Sequence, residues 1–563
     1  MSEFPPGLIL VLGALVIPFL KGTSRNLFMI VLPIFGLLGL LVIDDGYVFT
    51  INILGLELTP VRVDGLSLLF GYIFHIAAII SIIYAFHLRD TVQQIAALMY
   101  AGTAIGGIFA GDLVSLFVYW EGTAISSVFL IWSSNTKESF KTGMRYLLIQ
   151  VGSGVLLLAG TILYYKQSGT IAFNKFELTE IGPILIFIAF GIKAAFPLLH
   201  NWLQDAYPQA TVTGTVFLSA FTTKLAIYAL ARGFPGTELL IWIGAIMTAF
   251  PIFYAVIEND LRRVLAYSLN NQLGFMVVGV GIGTELSLNG TAAHAFSHIL
   301  YKALLFMSMG AVLYRTGTIK GSELGGLYKS MPYTTGLCMV GAASISAFPL
   351  FSGFISKSMI LTSVSDGGYW GVWLVLLFAS AGVFHHSGIK IPYFAFFAHD
   401  QGLRPKEAPA PMLFAMGIIA SLCFLIGIYP DILYSLLPYP VDYVPYTTAH
   451  VINQLQLLMF SALAFAVLMV FKIYPPELRS TNIDFDWIYR RGLHSLIISL
   501  GKSVNYTENL LFSAASKSLR AMMAFIHLRF ASFNKNAQTS TVGNALVWVL
   551  ALLLSLLVLA YSM

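Results

Sequence analysis

The sequence predicts an all-α, polytopic integral membrane protein of about sixteen transmembrane helices, and three observations carry that prediction. The 563 residues are 58% hydrophobic and only 10% charged, too few charges to clothe water-facing domains of that length. Apolar runs of about 20 residues recur along the chain, the length a helix needs to cross the hydrocarbon core. Backbone groups in lipid have no water to bond, which restricts spans to helices or closed barrels, and runs this long select helices.

In order, the expected spans are 5–20, 26–43, 65–87, 92–110, 112–133, 143–165, 181–203, 211–231, 237–257, 263–283, 290–314, 335–361, 370–398, 410–430, 452–473 and 543–561. The first run, Pro5 to Leu20, follows Glu3 and no basic residue, unlike a secretory leader, so it is expected to stay as a first span. Basic residues in short loops concentrate on the cytoplasmic side. An outside N-terminus places Lys21, Arg25, Arg89, Lys137, Lys141, Arg145, Arg262, Arg263, Arg315, Lys320, Lys329, Arg404 and Lys406 inside, and leaves Arg62, Lys166, Lys175 and Arg232 outside. That imbalance predicts a multi-pass protein of a prokaryotic inner membrane with its N-terminus outside. The net charge of +5 is scattered, which gives no support to nucleic-acid binding. Cys338 and Cys423 lie far apart in apolar runs and read as packing residues.

Two expected spans, the seventh and the twelfth, carry a proline inside a similar phrase: GIKAAFPLLHNWL (Gly191–Leu203) and SISAFPLFSGFISKSMI (Ser344–Ile360). Taken singly, such prolines are common kinks of membrane helices. Recurring five spans apart, they predict two inverted five-helix repeats with discontinuous helices. The chain then divides into N-terminal spans (1–91), a first half-channel (92–231), a second half-channel (237–398), flanking spans (410–473) and a C-terminal segment (476–563). Between 492 and 531, apolar Leu493, Leu496, Ile497 and Leu500 alternate with Lys502, Lys517, Arg520 and Arg529. A basic amphipathic helix in the membrane interface is expected, with an extramembrane knob as the alternative.

The candidate functional residues are ionisable groups near the middle of apolar spans: Glu121, Lys193, Lys224, His294, His298, Lys302, Lys357 and Lys390. Each charge at the centre of a lone membrane helix costs about 2.5–3.5 kcal/mol, so the set must face a shared or hydrated interior. Burial disfavours the charged form of a lysine and a neighbouring carboxylate opposes that effect, so Glu121 and Lys193 form either a proton switch or a static buried ion pair. His294, His298 and Lys302 recur every four residues and share one helix face. Two histidines so spaced also suit zinc, but no third ligand accompanies them and a lysine repels a cation, so a proton relay fits better than a metal. Lys357, eight residues past Pro349, is expected to be the second half's counterpart of Lys193. Lys390 reads equally as a relay member or as an anchor snorkelling at a span end. Asp112, Asp205, Glu258 and Asp260 fall at span ends and read as solvated caps or gates. GVGIGT (Gly279–Thr284) lacks the strand–turn–helix setting of a phosphate loop, so neither a nucleotide nor another cofactor is expected.

The phrases LFVYWEGTAISS, GIKAAFPLLHNWLQDAYPQA, ENDLRRVLAYSLNNQLGF, HAFSHILYKALLFMSMGAVLYRTGT, ELGGL and FSGFISKSMI resemble the antiporter-like proton-translocating subunits shared by Mrp-type cation/proton antiporters, respiratory complex I and membrane-bound hydrogenases. The resemblance runs from about residue 65 to 430 and departs from the family's loop phrase at Gln204 and Tyr207. It implies fourteen core helices in two inverted repeats. It places a Glu/Lys pair at Glu121 and Lys193, connecting residues at Lys224, His294, His298 and Lys302, and an exit-side lysine at Lys357. HHSGIKIPYFAFFAHD and DFDWIYRRG resemble the D-type Mrp subunit, whereas the long C-terminal extension resembles that of the largest complex I pumping subunit. The expected function is proton translocation within a multisubunit monovalent cation/proton antiporter, with other membrane subunits, protons, Na+ or K+ and the lipid bilayer as partners. The alternatives are a subunit of a redox-driven pump, whose partners do the enzymatic work, and a membrane scaffold.

Overall fold

The computed structural model describes residues 5–53, 55–398, 400–478, 482–530 and 542–562. Contacts group them into two units, Met1–Asn482 and Ile483–Met563. In the first unit the helices are α1 (Leu8–Ala14), α2 (Gly22–Leu40), α3 (Gly65–Tyr84), α4 (Thr91–Phe109), α5 (Leu113–Trp132), α6 (Lys137–Ser168), α7 (Ile181–Lys193), α8 (Asn201–Gln209), α9 (Gly214–Ala220), α10 (Thr222–Gly233), α11 (Leu239–Ile257), α12 (Leu261–Ile282), α13 (Glu285–Thr316), α14 (Pro332–Ile345), α15 (Ser352–Asp366), α16 (Trp370–Val383), α17 (Ala410–Ile428), α18 (Asp431–Tyr434) and α19 (Thr448–Val470).

Among the described residues, 11 helices are long and apolar enough to cross a membrane. The other expected spans depart from that pattern for visible reasons. Leu8–Phe19, Ile181–Lys193 and Ala545–Val558 are shorter apolar helices. The span expected at 335–361 is broken into α14 and α15. Helix α12 carries Arg262, Arg263, Asn270, Asn271 and Gln272. Helix α13 runs through the middle of the packing, 94% of its apolar window buried, whereas that of α19 is only 17% buried and turns its side chains outward. The exposed Phe, Leu and Ile side chains of the outer helices suit a lipid surrounding.

A short antiparallel hairpin, β1 (Val48–Ile53) and β2 (Leu56–Arg62), was not expected in an all-α chain. It lies between two spans, where alternating residues read as a loop. The hairpin ties into the bundle because the Thr59 amide donates to Asp112 Oδ2 at 2.7 Å.

Both broken spans follow the same backbone path. Helix α7 stops at Lys193 and α8 begins at Asn201; α14 stops at Ile345 and α15 begins at Ser352. Ala195 and Leu198, at φ 61° and 72°, flank Pro197 as Ala347 and Leu350, at 56° and 76°, flank Pro349. In both, the phenylalanine before the proline donates five residues back, Phe196 to Gly191 O at 2.9 Å and Phe348 to Ala343 O at 3.0 Å. Non-glycine residues at positive φ cost about 1–3 kcal/mol each, so two at each break is a strained, over-determined joint.

The likeness extends upstream. Helices α6 and α13 are each 32 residues long, start on a threonine cap (Thr136, Thr284) and end on a left-handed glycine (Gly169, Gly317). Asp112 caps α5 and bridges Ala172, and Asp260 caps α12 and bridges Lys320. Leu113 N donates to Ile171 O at 2.9 Å and Leu261 N to Ile319 O at 3.1 Å. Each of these features recurs 148 residues further along the chain. The caps are not solvated as expected: Asp112 is 1% exposed and Glu258 5%, because the loop segments fold over them.

Basic residues of the loops pin neighbouring segments. Arg62 donates to Phe173 O at 2.6 Å and Arg232 pairs with Asp64 at 2.7 Å, while Arg145 pairs with Asp205 at 3.4 Å and Arg262 donates to Tyr207 O at 3.1 Å.

In the second unit, α20 (His494–Phe530) is one helix of 37 residues and α21 (Val542–Ser562) follows it. Leu496, Ile497, Leu500, Leu511 and Leu519 are all exposed, so this unit leaves an apolar helix face uncovered by its own residues.

Candidate functional site

The site begins where α7 breaks. Lys193, the last residue of that helix, is fully buried; its Nζ donates to the Trp120 carbonyl at 2.6 Å and to Thr123 Oγ1 at 2.8 Å. The ammonium also lies over the Trp120 ring, 4.3 Å from its centre. Trp120 is held by its indole N–H on Ser153 Oγ at 3.0 Å. Glu121, the next residue of α5, interacts electrostatically with Lys193. Among the described residues no ion-pair contact joins the two, and Glu121 Oε1 is buried without a hydrogen-bond partner. Helix α6 makes room for this carboxylate with Gly154, where a Cβ would overlap Glu121 Oε1. The static ion pair considered from the sequence is therefore not the arrangement present.

Lys224, near the start of α10, donates to the Ser219 carbonyl, and its charge is felt by Lys302 on α13. Lys302 and His298 are fully buried, and neither the lysine Nζ nor either ring nitrogen has a hydrogen-bond partner among the described residues. His294 continues the face: its Nδ1 lies 3.1 Å from Ser356 Oγ and its Nε2 3.4 Å from the Tyr301 hydroxyl, which donates to Gln272 at 3.2 Å. Ring centres of His294 and His298 are 6.3 Å apart. Lys357, 1% exposed, donates to Ile345 O at 3.2 Å and to Ser380 Oγ at 3.5 Å.

Lys357, expected as the counterpart of Lys193, reaches the second break from its far side. Lys193 precedes its break and Lys357 follows its own; the residue matching Lys193 is Ile345. Lys390 differs from the snorkelling reading. It is fully buried in a wide helical turn, Phe384–Lys390, and its Nζ grips Val256 O and Glu258 O, each at 2.7 Å, with Glu477 Oε1 at 3.1 Å.

Sequence reasoning missed the neutral or partnered members. The repeat geometry finds them: Tyr228 donates to Ile108 O at the end of α4 as Lys390 does to Val256 O at the end of α11. Four residues earlier on each helix stand Lys224 and His386, so His386 occupies the place of Lys224. His386 is fully buried, lies 2.9 Å from Ser387 Oγ, and senses Lys302, Lys357 and Lys390. On α6, Tyr146, Gln150, Ser153 and Gly154 correspond to His294, His298, Tyr301 and Lys302 on α13. Gln150 is fully buried, and neither atom of its amide has a partner among the described residues, as with the ring nitrogens of His298. Buried polar atoms without protein partners are the places where internal water binds.

Together these side chains form a buried polar file from Glu121 to His386, held on broken or kinked helices. Residues 110–384 match the family described as "NADH:quinone oxidoreductase/Mrp antiporter, TM". The chain is 30% identical over 486 residues to the A-type subunit of the Na(+)/H(+) antiporter of Alkalihalophilus pseudofirmus, covering 75% of this chain and 60% of that protein. It is 31% identical over 306 residues to the D-type subunit of the Na(+)/H(+) antiporter of the same organism, covering 50% and 62% respectively. The chain thus spans about three fifths of the length of these curated relatives. The solved Mrp complex of Dietzia sp. DQ12-45-1b superposes with a TM-score of 0.78 over 95% of this chain and 64% of that one, at 23% identity, a likeness of fold.

Proposed function

We propose, for a chain that belongs to the NADH:quinone oxidoreductase/Mrp antiporter family through residues 110–384, that it translocates protons as one component of a multisubunit monovalent cation/proton antiporter. The observation that carries the reading is the set of buried ionisable groups itself: Lys193, Lys224, His294, His298, Lys302 and Lys357 are all 0–1% exposed, bonded to carbonyls and hydroxyls or left without a partner among the described residues. Such a set in a membrane interior is retained at a cost of several kcal/mol per charge unless it is used.

Glu121 and Lys193 load the file. Protonated Lys193 is held by the Trp120 carbonyl and Thr123 hydroxyl. Approach of the Glu121 carboxylate holds that proton, and its withdrawal favours release. Lys302 feels the charge of Lys224 in a medium of low polarity, so a proton arriving at one expels a proton from the other. His294 and His298 carry it on, since imidazole accepts at one nitrogen and donates from the other. Lys357 lies at the far end, beside the second break. The strained joints give both ends a backbone able to rearrange.

The partners in this reading are other membrane subunits, with Na+ or K+ as the exchanged ion, in a prokaryotic inner membrane with the N-terminus outside. The family's description also covers NADH:quinone oxidoreductases, in which the same file would be driven by partners that move electrons. Inverted vesicles bearing the native complex separate the two. Collapse of an imposed pH gradient on adding Na+ or K+ supports antiport; acidification that requires a reductant and ignores the cation supports the redox-driven reading.

A further inference from the structure

We infer that the oxygen cage around Lys390 is a monovalent-cation site whose tethered occupant is the lysine ammonium, exchangeable for an ion of the Na+ or K+ class. The inference deepens the antiport reading and rests on it for its purpose, though not for its test.

Helix α11 ends at Ile257, and its last carbonyls have no intrahelical partner. They carry the negative end of the helix dipole, the kind of terminus that coordinates cations in transporters. Lys390 Nζ takes Val256 O and Glu258 O at 2.7 Å and Ala255 O at 3.3 Å, with Glu477 Oε1 at 3.1 Å. Carbonyl and carboxylate oxygens at these distances replace the hydration shell of an alkali ion as readily as they bind an ammonium. More oxygen is at hand. Among the described residues, Glu477 Oε2 and the Tyr474 hydroxyl are buried without hydrogen-bond partners, on side chains about nine-tenths buried. Glu258, 5% exposed, lends a second carboxylate, engaged by the Asn259 and Asp260 amides, by Asn482 at 3.4 Å and by Arg263 at 3.8 Å.

The first repeat shows that this helix end does not need a cation on its carbonyl to be capped. There the Tyr228 hydroxyl, which accepts from Arg232 Nε at 2.8 Å, stands between that cation and the equivalent carbonyl of Ile108. At the second helix end the cation itself reaches the carbonyls, beside two carboxylates, Glu258 and Glu477, and Glu477 comes from beyond the repeats.

The exchange balances. Lys390 and Arg263 oppose Glu258 and Glu477, so the cage is neutral with one monovalent cation in it. An ion that enters takes these oxygens in place of the ammonium, one monovalent cation for another, so the charge within the cage is unchanged. The other groups facing the cage are His385, stacked on Tyr474 with ring centres 5.5 Å apart, and Arg263.

The test is thermal unfolding of the purified native complex at constant ionic strength in NaCl, KCl or N-methyl-D-glucamine chloride. For Lys390→Ala, Na+ or K+ raises the transition by several degrees over N-methyl-D-glucamine, and adding Glu477→Gln abolishes that difference. A folded Lys390→Ala complex indifferent to the three ions overturns the inference and leaves Lys390 a static cap. Glu477→Gln alone provides an independent reading in vesicles: the apparent cation affinity of exchange falls about tenfold, and an unchanged affinity overturns the site. If cation-specific stabilisation is present while wild-type vesicles show no cation-driven proton flux, the site stands and the antiport reading fails.

Discussion

The ammonium of Lys357 donates to the carbonyl of Ile345 at 3.2 Å, and Ile345 stands four residues before Pro349 as Lys193 stands four before Pro197. The second half therefore delivers a lysine head to the place where the first half roots one, from the opposite side of the break. Lys357→Ala is expected to abolish coupled proton movement, and Ile345→Lys added to it to recover a measurable part. Vesicle flux at matched expression checks this; equal inactivity of the single and double variants would contradict the positional equivalence.

Gly154 is the space into which Glu121 fits. Gly154→Ala is expected to push the carboxylate aside and lower flux about tenfold, as a small misplacement of a proton-transfer group does, while the complex assembles normally. Size-exclusion profiles alongside flux measurements decide it; wild-type flux would show that Glu121 tolerates displacement.

Gln150, in the place of His298, has no partner among the described residues for either amide atom. Gln150→Leu removes a group whose unsatisfied burial costs about 1–3 kcal/mol, so the complex should melt no lower than wild type while its flux falls. A variant with unchanged flux would make Gln150 a packing residue.

Asp112 accepts from the amides of Val114 and Ser115, each at 2.8 Å, from the Ser115 hydroxyl at 2.6 Å and from Thr59 N at 2.7 Å. Asp112→Ala is expected to lower stability by about 2 kcal/mol, the upper range for a helix cap, because it also frees the hairpin. Thermal unfolding of the complex measures it.

The spans were legible because lipid imposes length and apolarity on each segment, and the breaks because proline cannot continue a helix. Lys193, Lys302 and the two histidines announced themselves as ionisable groups in apolar runs. Gln150, Ser153 and Tyr146 did not, since neutral polar residues are unremarkable in membrane helices until their orphaned atoms and their match to α13 are seen. His386 stood in a quoted phrase, yet only the matching hydrogen bonds of Tyr228 and Lys390 fix its register against Lys224. The buried partner of Lys390 was invisible for a different reason: Glu477 lies beyond the last core span, in a stretch that reads as polar loop.

The most direct test of the account is the Na+- or K+-induced collapse of a pH gradient in inverted vesicles carrying the complete complex, with Glu121→Gln beside wild type at equal membrane abundance. The account predicts collapse in wild type and a persistent gradient in the variant. Equal collapse in both would contradict a proton path loaded through Glu121 and Lys193.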